Sequence, residues 1–189
     1  MKVKCFSTHG FELKYLQKWS KHFELDISFY ETSLNLETTP LADGADCISC
    51  WPSDDLSSDI IRDLYNRGIK MISLRSAGYS QIDLAKAKKL GIQIARVPAY
   101  SPESIAEHTL GILMCLNRKY VKASQRVRDF NFTLDGLEGT TLKGKKVGII
   151  GVGKIGEAFA RIMRGFGCSL KLYDLKVKKE LESELDADY

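Results

Sequence analysis

The amino-acid sequence predicts an α/β protein whose strands form parallel sheets. Over the first hundred residues, short apolar runs alternate with amphipathic stretches of helical period. The apolar runs lack polar alternation, which is typical of strands covered by helices on both faces. A further hydrophobic strand, followed by a glycine-containing turn and an amphipathic helix, begins near residue 146. With 189 residues, the chain suits one large domain or two small ones.

Five strands and three helices are predicted to alternate before residue 100. The strands are the apolar runs at residues 3–7, 25–30, 45–50, 70–74 and 92–97. The first helix is predicted over 11–22, where apolar residues follow helical spacing, and the second over 57–67. The third is predicted over 80–90, because Ser80 opens a Ser-x-x-acid capping box and Gly91 suits a helix end.

Near residue 99 the alternation of short strands and helices gives way to a proline-containing segment and a long helical pattern, which predicts a domain boundary. Ser101 is a candidate N-cap and Pro102 a candidate first residue of a helix. The helical pattern continues to about Val127, a length of roughly 39 Å. Residues 105–116 are apolar on nearly all sides, so this half of the helix is expected to be buried between layers or subunits.

Composition and charge exclude several classes of protein. Hydrophobic residues make up 44% of the chain and the net charge is +4, so neither disorder nor a nucleic-acid partner is predicted. The densest basic run is expected to be a solvated helix face and comprises Lys119, Lys122, Arg126 and Arg128. No apolar run approaches the ~18 residues of a membrane span, and no signal peptide is apparent. We therefore expect a cytoplasmic protein without a membrane partner.

The cysteines and histidines do not form a recognisable metal or disulfide pattern. The five cysteines are Cys5, Cys47, Cys50, Cys115 and Cys168. Cys47 and Cys50 lie in a predicted strand, where residues three apart point to opposite faces, so their sulfur atoms would not meet. We expect reduced, structural cysteines. The three histidines, at 9, 22 and 108, lack metal-ligand spacing, and no metal site is expected.

The segment 146–161 contains a glycine pattern typical of dinucleotide binding. Gly151 permits a tight turn, Gly153 has no Cβ to keep a pyrophosphate from the backbone, and Gly156 allows close packing of the helix. Asp174 lies 23 residues after Gly151, at the end of the next predicted strand. A carboxylate there accepts hydrogen bonds from ribose hydroxyls and repels a 2′-phosphate, which favours NAD over NADP. Glycines that serve packing alone would not explain this acid.

Several further segments carry a resemblance to a known family. They are 74–83 (LRSAGYSQID), 96–108 (RVPAYSPESIAEH), 116–119, 126–128, 131–132, 142–145 and 165–168, together with the glycine turn. Over essentially its whole length the chain resembles the D-2-hydroxyacid dehydrogenases, most closely their D-lactate dehydrogenase branch. The resemblance implies a flavodoxin-like substrate-binding domain over residues 1–99. It also implies the first half of a Rossmann nucleotide-binding domain over 100–189, with NAD as cofactor.

The resemblance implies roles for residues of the first domain. Ala77 and Gly78 match the family loop whose backbone N–H groups hold the substrate carboxylate. Tyr100 matches a tyrosine that lines the active site, although a tyrosine that only packs at the hinge would look the same. Arg75 either orients the carboxylate loop or is a structural arginine. The Trp51-Pro52 dipeptide falls near the family's substrate-size pocket.

The resemblance also implies a cofactor site in the second domain. Its residues are Gly151, Gly153, Lys154, Ile155, Gly156 and Asp174. Two departures from the family lie away from the chemistry. Phe130 stands where the family more often has glycine, and residues 176–179 replace a proline-containing segment.

The family's catalytic arginine, glutamate and histidine are implied to lie beyond Tyr189. His108 matches a position that is structural in the family, so no catalytic residue is predicted in this chain. The apolar residues of 176–185 recur every four positions, which predicts a helix cut before its cap. Two strands and one crossover helix would be too small a sheet to stand alone. We therefore expect an N-terminal fragment or truncated product.

Two functions remain open from the sequence. The first is an NAD-dependent D-lactate dehydrogenase, which reduces pyruvate with NADH and would be inactive as this fragment alone. The second is a non-catalytic NAD-binding or interaction module that pairs through its exposed half-sheet. Small 2-keto or 2-hydroxy acids are the expected ligands. A homodimer or higher homo-oligomer is expected to form through the apolar helix 102–116 and the open sheet edge.

Overall fold

The computed structural model describes residues 1–189 and contains two compact units, Met1–Tyr100 and Ser101–Tyr189. Both units consist of parallel strands connected by helices, so the predicted α/β class is confirmed. No helix is both long enough and apolar enough to cross a membrane.

The first unit is a five-stranded parallel sheet with three helices. Its strands are β1 (Lys2–Cys5), β2 (Asp26–Phe29), β3 (Cys47–Cys50), β4 (Met71–Leu74) and β5 (Gln93–Arg96). Its helices are α1 (Gly10–His22), α2 (Ser58–Asn66) and α3 (Leu84–Leu90), with a short 3-10 helix at Thr39–Ala42. The strand order is β2-β1-β3-β4-β5, which is the flavodoxin-like order. In this arrangement a ligand crevice is expected at the carboxyl ends of β1 and β3.

The two faces of this sheet are covered unequally. On one face, the strand residues Ile48 and Ile72 are completely buried with Ile60 and Leu64 of α2 in a continuous apolar core. Helix α1 covers the other face but has no fully buried residue. Its Leu16 lines an apolar cavity of about 180 Å³ against the strands. The α2–α3 side is therefore the better packed side of the first unit.

The capping box predicted at Ser80 does not start a helix. Helix α3 begins at Leu84, and Asp83 is its N-cap, with its carboxylate accepting a hydrogen bond from the Lys86 N–H at 2.9 Å. The preceding Ile82 pairs with Leu56 in an isolated parallel bridge. That pairing holds the residues before Asp83 in an extended conformation, so the prediction of a helix from Ser80 was wrong.

The second unit is a three-stranded parallel sheet with four helices. Its elements are α4 (Pro102–Asn117), α5 (Tyr120–Arg128), β6 (Lys146–Ile150), α6 (Lys154–Gly165), β7 (Ser169–Tyr173), α7 (Lys179–Leu185) and β8 (Ala187–Asp188). The strand order is β6-β7-β8, as in the first half of a doubly wound nucleotide-binding sheet. The predicted N-cap is confirmed, since the Ser101 hydroxyl accepts a hydrogen bond from the Ser104 N–H.

The prediction of one long helix over 102–127 was wrong. Helix α4 ends at Asn117, and Lys119 adopts a left-handed conformation with φ +54° before α5 begins. The side chain of Asn117 binds the backbone of Thr140 through both its amide group (2.7 Å) and its oxygen (3.1 Å). This contact with a distant loop fixes the end of α4, which local periodicity cannot reveal.

The apolar half of α4 is only partly buried within this single chain, so its expected burial between layers or subunits stays a prediction. Within this helix only Ala106 is fully buried. Leu110 and Leu113 pack against the core of the second unit, whereas Ile112 and Leu116 are 50% and 66% exposed. One face of the helix therefore remains apolar and accessible.

The prediction that the last helix is cut before its cap, after a sheet of two strands, was wrong. Helix α7 ends at Leu185, and Asp186 follows in a left-handed conformation with φ +47°. Strand β8 then adds a third parallel strand, with Ala187 opposite Leu170. Leu185 is buried in the core of this unit.

The cysteine side chains are all free thiols, and four of the five are buried. Cys47 and Cys50 lie in β3, where successive side chains point to opposite faces of the sheet. Burial raises the pKa of the Cys47 thiol to about 11, and it raises the pKa of Cys50 well above its ordinary value. These thiols are therefore protonated at neutral pH and poorly reactive.

Candidate functional site

The loop after β4 presents free backbone N–H groups, among them those of Ala77 and Gly78. The Ser76 hydroxyl donates to the Gly78 carbonyl at 2.7 Å, and the Arg96 guanidinium donates to the Ala77 carbonyl at 3.0 Å. The Val97 N–H donates to the Ser76 carbonyl at 3.2 Å. The carbonyl groups of this loop are thus held by the protein, whereas the N–H groups of Ala77 and Gly78 donate to no protein acceptor. Neighbouring free N–H groups at the carboxyl end of a parallel strand suit a small anion.

The guanidinium of Arg75, immediately before this loop, is 10% exposed, and all of its N–H donors are in use. Its Nε and Nη2 donate to the two carboxylate oxygens of Glu12 at 3.1 and 3.2 Å. Nη2 also donates to the carbonyls of Phe6 (2.7 Å) and Ser7 (3.0 Å), and Nη1 donates to the Ser49 hydroxyl at 3.1 Å. The guanidinium has no donor left for a substrate, so its contacts are those of an arginine that fixes the surrounding loops.

Asp54 is a second buried charged group at this end of the sheet, and sequence reasoning missed it. Its Oδ1 accepts hydrogen bonds from the Ser7 hydroxyl at 2.7 Å and the Leu34 N–H at 2.8 Å. Its Oδ2 accepts a hydrogen bond from the Trp51 N–H at 2.6 Å. An aspartate four residues after the end of a buried strand is a signal for such a loop-closing carboxylate.

Three aromatic rings form an apolar surface beside Arg75. The His9 ring stacks on Phe11 with centroids 5.6 Å apart and meets the edge of Trp51 at 5.0 Å. The Arg75 guanidinium lies 5.5 Å from the centroid of Trp51. We call His9, Phe11 and Trp51 the aromatic group. The contribution of His9 and Phe11 was missed, because both residues lie far from Trp51 in the sequence.

Two other predicted substrate-site residues lie on the surface of the first unit. Tyr100, the last residue of the unit, is 56% exposed. Pro52 follows Trp51 in a turn and is also exposed. Neither of these residues belongs to the hydrogen-bonded network around Arg75.

In the second unit, the three glycines of the turn after β6 differ in their surroundings. Gly151 has φ +90°, and its N–H donates to the Tyr173 carbonyl at 2.8 Å. A Cβ on Gly156 would overlap the Gly151 carbonyl oxygen, so only glycine allows α6 to start this close to β6. A Cβ on Gly153 would meet nothing within 4 Å. The turn therefore leaves open space where Gly153 faces outward.

Asp174 is fixed to this turn by the backbone. Its Oδ2 accepts a hydrogen bond from the Val152 N–H at 2.6 Å, and its Oδ1 accepts one from the Lys176 N–H at 3.0 Å. These hydrogen bonds, that of Lys176 first, lower the pKa of the Asp174 carboxyl below its ordinary value. The group is therefore an ionised carboxylate at neutral pH, placed where β7 ends beside the glycine turn.

The first turn of α6 offers further donors. Lys154, Ile155 and Gly156 are the first three residues of this helix, and N–H groups in that position have no partner within a helix. The positive end of the helix dipole favours an anion there. These donors, the open space at Gly153 and the Asp174 carboxylate fit the pyrophosphate and ribose of a dinucleotide.

The segment after Asp174 is held by an ion pair that the sequence did not reveal. Glu157 accepts hydrogen bonds from Lys178 at 2.8 Å and from Arg161 at 2.9 Å. These contacts lower the pKa of Glu157, with the Lys178 contact as the largest cause. Lys178 lies in the segment 176–179. A side-chain contact thus restrains the part of the chain that follows Asp174.

The histidines do not form a catalytic pair with an acid. His108 is exposed on α4, and His22 packs against Trp19 and Phe23. None of the ion pairs in the structure includes a histidine. No group of three histidine, cysteine or acidic side chains is arranged to hold a metal ion.

Comparison with known proteins identifies relatives across the whole chain. The sequence profile described as "D-isomer specific 2-hydroxyacid dehydrogenase, catalytic domain" matches residues 6–181. The D-lactate dehydrogenase of Escherichia coli K12 is 43% identical over 174 residues, which are 92% of this chain and 53% of that protein. A 2-hydroxyacid dehydrogenase homolog of Haemophilus influenzae is 41% identical over 189 residues, which are 100% of this chain and 57% of that protein.

Solved structures give the same picture. The apo-structure of Escherichia coli D-lactate dehydrogenase has a TM-score of 0.89 and 41% identity, covering 100% of this chain and 60% of that one. The Aquifex aeolicus D-lactate dehydrogenase, complexed with NAD and lactic acid, has a TM-score of 0.84 and 30% identity, with 96% and 54% covered. The chain spans about half the length of the curated relatives it matches.

Proposed function

The chain belongs to the D-isomer specific 2-hydroxyacid dehydrogenase family, and from this we propose that it provides the substrate loop and the dinucleotide-binding turn of an NAD-dependent D-lactate dehydrogenase. The proposed reaction is the reduction of pyruvate by NADH to D-lactate. Because the chain spans about half the length of its relatives, we assign the complete reaction to the whole protein and not to these 189 residues alone.

We propose that the first unit binds the 2-keto acid. The free N–H groups of Ala77 and Gly78 would receive the substrate carboxylate, since no protein acceptor competes for them. Arg75 would hold this loop in place and would not touch the substrate. The aromatic group beside Arg75 gives an apolar surface for the substrate side chain. Tyr100 would line the site, as the family resemblance implies.

We propose that the second unit binds NAD. The pyrophosphate would lie over Gly153 against the N–H groups of Lys154 and Ile155, where a Cβ-free surface and a helix N-terminus coincide. The Asp174 carboxylate would accept hydrogen bonds from the ribose hydroxyls and repel the extra phosphate of NADP. Bound NADH supplies the hydride for the keto carbon. The observation that carries the proposal is the fixation of Asp174 on the Val152 N–H, since it places an ionised acid at the turn.

Protonation of the keto oxygen needs a general acid, and no ion pair of the structure joins a histidine to a carboxylate. We therefore expect the 189-residue chain alone to be inactive.

A non-catalytic NAD-binding or interaction module is the second candidate, and the exposed apolar face of α4 favours it. The same face leads us to propose a homodimer or higher homo-oligomer. The five free thiols fit a reducing compartment, and we propose a cytoplasmic location.

Calorimetric titration of the chain with NADH and with NADPH tests this proposal. We expect saturable binding of NADH and weaker binding of NADPH. Equal affinities would contradict the role of Asp174, and absence of both would contradict dinucleotide binding by this chain. Assay of the protein purified from its source cells, for pyruvate-dependent oxidation of NADH, then separates the dehydrogenase from the non-catalytic module.

A further inference from the structure

Glu12 is a buried carboxylate to which the proposed reaction assigns no role. It lies in the first turn of α1, and its side chain is 12% exposed. Oε1 accepts hydrogen bonds from the backbone N–H of His9 at 3.0 Å and from Arg75 Nη2 at 3.2 Å. Oε2 accepts one from Arg75 Nε at 3.1 Å. The same carboxylate thus caps its own helix and clamps the arginine before the substrate loop.

The Glu12–Arg75 pair joins the segment between β1 and α1, strand β3 and the loop after β4. Through Glu12 it reaches the start of α1, where His9 belongs to the aromatic group. The other guanidinium donors reach the carbonyls of Phe6 and Ser7 after β1 and the hydroxyl of Ser49 in β3. The backbone of Arg75 itself leads through Ser76 to Ala77 and Gly78. A shift of the guanidinium is therefore transmitted to the substrate loop.

Among the hydrogen-bond partners of the Arg75 guanidinium, Glu12 differs from the others in its charge. All other acceptors of the Arg75 guanidinium are neutral carbonyl, hydroxyl or thiol groups. Arginine stays protonated in proteins, and a buried charge left without its counter-charge must gain water or move to the surface. Only the Glu12 carboxylate neutralises this side chain, which is 10% exposed.

We propose that Glu12 is a positioning residue for the substrate loop: through Arg75 it sets the orientation of the Ala77 and Gly78 N–H groups. Through its bond to the His9 N–H it also holds the His9 ring against Trp51. The inference rests on the proposed function, because it takes this loop as the carboxylate site.

The ligand-free test compares Glu12→Gln with Asp63→Asn in the full 189-residue chain. Asp63 of α2 forms a more exposed pair with Arg67, which also contacts Asp43, so its variant controls for the loss of an ion pair elsewhere in the same unit. We expect the amide NMR signals of Ala77 and Gly78 to move, and their hydrogen exchange to accelerate, in Glu12→Gln only. Glu12→Asp keeps the charge on a shorter side chain and should restore the signals in part. If Glu12→Gln does not fold, Glu12→Asp decides: signals at the wild-type positions would overturn the inference.

The ligand test uses oxamate, an unreactive carboxylate of the same shape as pyruvate. We expect oxamate to bind the wild-type chain with shifts at Ala77 and Gly78, and to bind Glu12→Gln about tenfold more weakly. Wild-type affinity and unmoved loop signals in Glu12→Gln would overturn the positioning role. No response of the wild-type chain to oxamate would instead contradict the assigned carboxylate site, while the ligand-free signals still decide whether Glu12 orients the loop.

Discussion

The Asp174 carboxylate accepts a hydrogen bond from the Val152 N–H at 2.6 Å, so the acid that ends β7 is fixed to the glycine turn that follows β6. A backbone donor cannot be lost through a change of rotamer. Together with the Lys176 N–H, this donor favours one orientation of the carboxylate before any ligand arrives, which reduces the entropy lost on binding.

Replacement of Asp174 by Asn should change the choice of cofactor. We expect NADH affinity to fall about tenfold, because charged hydrogen bonds to ribose hydroxyls are lost. NADPH affinity should fall less or rise, since the repulsion of its phosphate is removed. Calorimetry with both cofactors measures the ratio. Asp188→Asn, an exposed acid on β8 of the same sheet, should leave the ratio unchanged.

Alanine at two glycines of one turn should give opposite results. Gly156→Ala forces a Cβ into the Gly151 carbonyl and should destabilise the chain by about 1–3 kcal/mol, with loss of NADH binding. In Gly153→Ala the new Cβ meets no protein atom, so the free energy of unfolding should fall by less than about 1 kcal/mol. The affinity for NADH should nevertheless fall strongly. Urea denaturation and calorimetry separate the two effects. Equal losses of stability would refute the assignment of open space to Gly153.

The Glu157 pair should stabilise the second unit in a defined range of pH. Its folded-state pKa is lowered from an ordinary value of 4.5 by Lys178 and Arg161, so its contribution is present above about that pH. It is lost as the pH falls through the lower folded-state value, where the folded form must also take up a proton. Glu157→Gln should therefore be less stable than wild type at pH 7 by under about 1 kcal/mol, because the pair is partly exposed.

Thermal unfolding from pH 7 down to pH 3 measures this difference. Glu184→Gln is the matched control, because Glu184 contacts Arg161 but not Lys178. A stability difference that grows as the pH falls would have the wrong sign for this pair.

The exposed face of α4 should mediate self-association. Leu116→Lys places a charge where the side chain is 66% exposed and apolar, so the fold should tolerate it while association weakens. Sedimentation velocity over a range of concentrations gives the masses. Leu36→Lys, an equally exposed leucine in the first unit, should associate like wild type. A wild-type chain that stays monomeric at high concentration would contradict the proposed oligomer.

The isolated chain should not oxidise NADH in the presence of pyruvate, because the structure has no histidine–carboxylate pair to donate a proton. The decrease in NADH absorbance, compared with a sample lacking protein, measures this. Turnover that is abolished by Ala77→Pro, which blocks a loop N–H, would show that the proton donor lies within these 189 residues.

Local features account for the parts of the fold and site that the sequence predicts well. The turn from Gly151 to Gly156 and the acid at Asp174 obey rules of backbone geometry that act within a few residues. The α4–α5 break depends on the contact of Asn117 with Thr140, 23 residues away. The same holds for Glu12, whose partner Arg75 is 63 residues distant, and only its capping of α1 leaves a local signal.

Strand β8 is too short to be predicted from the sequence. It contains only Ala187 and Asp188, too few residues for any alternating pattern, and it exists because β7 offers an unpaired edge. The exposed face of α4 presents the opposite case. Its apolar pattern is strong, but hydrophobicity alone does not say whether the covering surface belongs to the same chain.

Because two thiols of the first unit are buried in its sheet, their rate of alkylation measures how often that sheet opens. Cys47 and Cys50 lie in the central strand β3 and are protonated at neutral pH, so an alkylating reagent reaches them only when the sheet separates. Cys115 on α4 is partly accessible and should be labelled first. Mass spectrometry would follow the order and rate of labelling. The labelling rate of Cys47 and Cys50 would give the rate at which β3 becomes exposed, without any engineered probe.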